Sequence, residues 1–174
     1  MNARVVVSVL ALALCCAAAP VEPHLQVGAP WRPGRPVSNS GSRFTALALW
    51  VLSDGTPHPD THILQYIWLT SAALDERGLG GYVADEVGSI QRTPGDSNLQ
   101  YSQIDSCLRP AWVATYDVDA KFDSNGLQRS FERVYFAFRD TLYVMQYVRP
   151  FGKPLDPVAQ AALLSFCTSV PGRG

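Results

Sequence analysis

Residues 112–148 read WVATYDVDAKFDSNGLQRSFERVYFAFRDTLYVMQYV, and three successive antiparallel strands account for them. Residues 112–121 and 127–138 are rich in β-branched and aromatic side chains. Between them Asp123-Ser124-Asn125-Gly126 carries the Asn-Gly pair that tolerates the positive φ of a tight hairpin turn. Residues 142–148 follow as a third strand after Arg139-Asp140-Thr141. Along this meander Phe131, Arg133 and Tyr135 share one face and Val134, Phe136 and Phe138 the other, while Tyr143, Met145 and Tyr147 alternate with Leu142, Val144 and Val148. Both faces therefore carry large side chains. One face must be core, and the second is either covered by another layer or open to a partner. Because Tyr and Arg are enriched at protein interfaces, Arg133, Tyr135, Tyr143 and Tyr147 are the candidate partner-binding residues, with Arg129 and Arg139 beside them.

Upstream of the meander, Pro110 separates it from a weak strand over residues 98–107 (NLQYSQIDSC). Before that strand, Tyr82, Val83, Val87 and Ile90 fall on one face of a short amphipathic helix with acidic residues opposite, and Gly78-Leu79-Gly80-Gly81 reads as a hinge in front of it. Two apolar runs precede the hinge. Residues 43–52 (RFTALALWVL) end at Ser53-Asp54-Gly55-Thr56-Pro57, a turn; residues 62–71 (HILQYIWLTS) fit both a helical and a strand period, and their Ile, Tyr, Trp and Thr content favours strand. Downstream, Asp156 is a good N-cap and Pro157 a good first helical residue for residues 158–167 (VAQAALLSFC), where Val158, Ala161, Ala162 and Phe166 share a face. The expectation is an α+β domain: a mostly antiparallel sheet of about six strands covered by two helices.

The order strand, strand, helix, four strands, helix closes with a strand ending in Tyr147-Val148, a proline-bearing loop containing Phe151, and a short helix reaching Leu164-Ser165-Phe166. Over residues 43–168 this resembles the PsbP-like family, an α/β/α sandwich in which a final helix ending in a Ser-Phe pair covers the sheet. The resemblance implies an accessory or scaffolding subunit with no shared catalytic residues. It does not imply a photosynthetic role, for which no motif is present.

Composition narrows the class. A hydrophobic content of 47% in 174 residues supports one packed domain, and 14 basic against 15 acidic residues leave no excess to draw the chain onto nucleic acid. Residues 1–18 read as an export signal: Arg4, an apolar run from Val5 to Leu14, and small residues Ala17-Ala18-Ala19 at the cleavage site. The run is too short to anchor in a bilayer. Leu12-Ala13-Leu14-Cys15 alternatively opens a lipoprotein signal, so membrane attachment would come through lipidation at Cys15 or Cys16. Residues 19–42, with five prolines, read as a linker that Trp31 could pin to the domain; residues 43–168 are the domain and 169–174 a flexible tail. Cys107 and Cys167 are the two cysteines left in an exported chain and are expected to form a disulfide.

No catalytic constellation assembles. His58 and His62 have helical metal-ligand spacing but enclose Pro59-Asp60; Asp117, Asp119, Asp123 and Asn125 depart from the spacing of a calcium loop; Gly78-Leu79-Gly80-Gly81 lacks the partners of a phosphate loop; and no Gly-x-Ser-x-Gly occurs. Asp75-Glu76 and Asp85-Glu86 read as solvated carboxylates. The sequence thus predicts a non-enzymatic exported protein, periplasmic or secreted, with no cofactor, that binds another envelope or secreted protein. The alternative is a small-ligand carrier with a pocket between sheet and helix.

Overall fold

A computed structural model describes residues 23–37, 41–53, 63–105, 107–123 and 126–169. The expected export signal, His58, His62, Asn125 and most of the tail lie outside these residues. The described chain runs β1 (Arg32–Gly34), β2 (Thr45–Ser53), β3 (Ile63–Ala73), α1 (Gly78–Arg92), β4 (Asp96–Gln103), β5 (Ala111–Val118), β6 (Arg129–Phe138), β7 (Thr141–Pro150) and α2 (Pro157–Thr168). All seven strands form one sheet in the order β1-β2-β3-β7-β6-β5-β4, and every neighbouring pair is antiparallel. The α+β expectation holds.

The path of the chain follows from this order. β2 and β3 pair as neighbours, then α1 carries the chain across one face of the sheet to its far edge. From there β4, β5, β6 and β7 return strand by strand until β7 pairs with β3. Successive side chains on a strand point to opposite faces. Hence Val134, Phe136, Met145 and Tyr147 pack with Ala159, Ala162 and Phe166 of α2, while Tyr135, Leu142 and Val144 pack with Tyr82, Val83 and Val87 of α1. The helices therefore cover opposite faces, and the central strands are buried on both sides.

Both helices depart from expectation in one respect. The stripe Tyr82, Val83, Val87 and Ile90 is the buried face of α1, but the glycines expected as a hinge form its first turn, entered through Gly78 at φ +66°. In α2, Asp156 accepts from the Val158 and Ala159 backbone N–H groups and Pro157 starts the helix. Its buried stripe is Ala159, Ala162, Leu163, Phe166 and Cys167, rotated from the expected one so that Ala161 is exposed. The rotation lets Phe166 meet Phe136 edge-to-face at 5.5 Å and places Cys167 against Cys107.

The Cys107–Cys167 disulfide is present, with Cα atoms 4.9 Å apart, and joins the β4–β5 connection to the end of α2. Residues 23–31, expected as linker, are packed on the domain. The Gln26 N–H donates to Ser165 Oγ (3.2 Å) and the His24 N–H to Ser169 Oγ (3.2 Å) along α2. Trp31 is buried, its ring lies edge-on to Tyr147 at 5.9 Å, and its indole N–H donates to the capping carboxylate of Asp156 (3.0 Å). β1, which raises the strand count to seven, follows directly. The β5–β6 connection is also longer than a two-residue Asn-Gly turn: β5 stops at Val118, and Asp119 accepts from Lys121, Phe122 and Asp123 before Gly126 turns at φ +67°.

Candidate functional site

The four residues expected to form a partner surface are not brought together. Arg133 and Tyr135 lie on the α1 face, Tyr143 and Tyr147 on the α2 face, and Tyr135 and Tyr147 are 0% exposed. Tyr147 is core, its hydroxyl donating to Gln65 Oε1 and accepting from the Asp156 N–H (3.4 Å). Tyr135 lies under α1 beside Tyr82, ring centroids 5.8 Å apart. Tyr143 is half-buried. The physical reason is the second helix: with α1 on one face and α2 on the other, Tyr135 and Tyr147 are each covered by a helix.

Arg133 remains as a functional candidate. Strand register sets Trp68, Gln146, Arg133 and Ala114 in one row across the sheet, all on the α1 face. Arg133 Nε donates to Gln146 Oε1 (2.8 Å), Gln146 Nε2 donates to the Tyr66 hydroxyl (3.3 Å), and Arg133 Nη1 is paired with Glu86 Oε1 from α1. The other Glu86 oxygen accepts from the Tyr82 hydroxyl (3.4 Å). The guanidinium also lies 5.4 Å from the Tyr116 ring centroid. It is thus held on several sides while its side chain stays 24% exposed.

Beside this pair is a cleft of about 170 Å³. Trp68, Thr70, Val144 and Gln146 form its floor on the sheet, Tyr82 and Glu86 its helical wall, and Ser42 and Phe44 its lip. Arg43 stacks over the two aromatic rings of that wall, 4.8 Å from Tyr82 and 5.2 Å from Phe44. Burial, followed by the charge of Glu86, pushes the Tyr82 phenol up to about 12. Burial also raises Tyr66, Tyr116 and Tyr135. Burial opposes the charge on Arg133, but Tyr116, Tyr135 and Glu86 outweigh it, so the guanidinium holds its proton more firmly than in water. At neutral pH the cleft therefore presents the protonated Tyr82 phenol, donated to Glu86, and the Arg133 cation.

A second, more open groove of about 450 Å³ crosses β4 and β5 toward Phe151 and Lys153. There Asp117 accepts from Ser130 Oγ (2.6 Å) and Asn98 Nδ2 (2.9 Å), and Arg149 Nε donates to the Lys153 carbonyl (2.9 Å). Among the described residues no group of three or more His, Cys, Asp or Glu side chains is placed to hold a metal ion, and no helix is long and apolar enough to cross a membrane.

No family model and no curated protein matches the chain. Among solved structures it is similar to LpqN, involved in cell envelope biogenesis of Mycobacterium tuberculosis. The TM-score is 0.45 at 17% identity, over 86% of this chain and 81% of that one. A likeness of that degree carries no argument about function.

Sequence reasoning missed Glu86, Trp68, Gln146 and the Arg43–Phe44 lip. Glu86, expected to be solvated with Asp85, turns inward at the margin of the buried stripe, four residues after Tyr82; Asp85 stays exposed and pairs with Arg77. The i, i+4 relation to Tyr82 was a usable signal. Nothing local pointed from Glu86 to Arg133, 47 residues away.

Proposed function

We propose that this is an exported, non-catalytic accessory protein of the cell envelope that works by binding another protein, and that it receives one projecting group of that partner in the cleft between α1 and the sheet. The observation that carries this reading is Arg133, a fixed and partly exposed guanidinium set among aromatic walls. A recess with an apolar lining and a few converging polar groups is the usual form of a recognition site. The Tyr82 phenol on the helical wall is displaced upward from its ordinary value, which suits hydrogen-bond donation rather than proton transfer.

The size of the α1 cleft favours a protein partner there over the carrier alternative, which needs a pocket between sheet and helix. Pockets that enclose a small molecule span about 300–1,000 Å³, whereas about 170 Å³ admits a side chain or chain end whose remainder lies across the surface. The disulfide supports an oxidising compartment outside the cytoplasm. The PsbP-like resemblance belongs to the same proposal, supported by the element order from β2 to α2 and by a last helix closed over the sheet.

A photo-crosslinking side chain at Ser42, on the lip, and another at Leu164, on the exposed side of α2, test the reading in native envelope extract. Partner crosslinks from position 42 alone, abolished by Arg133→Gln, are expected. Equal yields from both positions, or yields unchanged by Arg133→Gln, would refute it.

A further inference from the structure

Resting on the assignment of the α1 cleft as the recognition site, we infer that the group received there is a carboxylate on a short apolar body, presented by the partner protein as a chain terminus or an acidic side chain. The hydrogen-bond inventory of the cleft points to an acceptor. The Trp68 indole N–H, a donor with no acceptor capacity, is buried and has no hydrogen-bond partner among the described residues. Arg133 directs Nε to Gln146 and Nη1 to Glu86, and its side chain stays 24% exposed where it lines the cleft. Ser42 Oγ accepts from the Phe44 N–H (3.1 Å), so its hydroxyl hydrogen is available at the lip. By contrast, the charged and amide acceptors are engaged: Glu86 takes Arg133 on one oxygen and Tyr82 on the other, and Gln146 Oε1 takes Arg133.

Charge agrees with this inventory. Arg133 lies in the cleft, paired with Glu86, and Arg43 adds a second guanidinium over the Phe44 and Tyr82 rings at its lip, while Asp75 and Asp85 are both bound by Arg77 on the outer side of the helix. A guanidinium matches the planar geometry of a carboxylate. Phe44, Trp68, Tyr82 and Val144 supply apolar walls for a short hydrocarbon body. The volume excludes a nucleotide or an oligosaccharide.

The test follows the Trp68 indole N–H and the Arg133 Nε–H by ¹⁵N NMR in the chain from residue 19 onward, titrated with isovalerate and with isovaleramide, its neutral isostere. Saturable shifts at both protons in the millimolar range are expected with isovalerate, with the amide at least about tenfold weaker. The Trp31 indole, on the opposite face, should stay still. Arg133→Gln should weaken isovalerate by about tenfold or more, and Arg43→Gln at the lip by a smaller factor, which keeps the test decisive should the first variant unfold. Equal binding of amide and acid, no saturable shift, or equal shifts at Trp31 and Trp68 would overturn the inference. N-acetyl-leucine and N-acetylglutamate amide, with a terminal and a side-chain carboxylate respectively, distinguish the two sources. If no carboxylate binds while the crosslink from position 42 remains sensitive to Arg133→Gln, the ligand class fails and the site stands. Carboxylate binding without crosslinks from the lip would instead remove the protein partner.

Discussion

Reduction of the Cys107–Cys167 bond gives a quantitative test of how α2 is held to the sheet. The bond spans a sequence separation of 60, and the closed loop contains β5, β6, β7 and α2. In the chain-entropy treatment such a loop removes about 14 cal/mol/K from the unfolded ensemble, or about 4 kcal/mol at 25 °C. For a domain of this size that corresponds to a fall in Tm of about 8–17 °C. Reduction is a cleaner perturbation than substitution: both sulfur atoms stay in place, whereas truncating Cys167, which is 2% exposed, would add a cavity. The assay is thermal unfolding followed by near-ultraviolet circular dichroism with and without a phosphine reductant, with two free thiols confirmed by mass spectrometry. A fully reduced protein with an unchanged Tm would refute the reasoning. It would show that α2 is held by its own packing and by residues 23–31, with no measurable contribution from closing the loop.

Trp31→Ala should destabilise by about 3–5 kcal/mol in urea unfolding, because it empties a buried site against Tyr147 and removes the donor to Asp156; Trp31→Phe should lose only about 1 kcal/mol. Glu132 is buried, and desolvation raises its pKa, partly offset by the charge of Arg149. A raised acid pKa in the fold contributes stability that is present below the unfolded value of about 4.3 and is lost as pH rises through the folded value. Glu132→Gln should therefore raise the urea midpoint at pH 7, with the gain shrinking as pH falls toward 4; a larger gain at low pH would contradict the burial argument. Gly95 has φ +90° and an added Cβ would collide with the Phe122 ring, while Gly152, at φ +73°, has nothing within 4 Å. Gly95→Ala should cost about 1–3 kcal/mol and Gly152→Ala near the lower end of that range, as read by chemical denaturation.

The sequence alone determined whatever depends on neighbours along the chain. Period-two runs placed the three strands of the meander, the Asp156-Pro157 pair placed the start of α2, and the apolar spacing of Tyr82, Val83, Val87 and Ile90 set the buried face of α1. It also pointed to the disulfide, since Cys107 and Cys167 are the two cysteines outside the expected export signal. Tertiary structure decided what depends on which strands meet. Only the pairing of β7 with β3 brings Trp68 and Gln146 beside Arg133, and only the passage of α1 over that row sets Glu86 above it. The same crossing buries Tyr135, which strand alternation alone leaves open to either core or surface. Trp31 is a similar case: a tryptophan among prolines has no local reason to be core, and it becomes so because α2 and Tyr147 offer it a slot and Asp156 an acceptor. Local periodicity fixes the direction of each side chain relative to its own backbone; what that side chain meets is set by contacts tens of residues away.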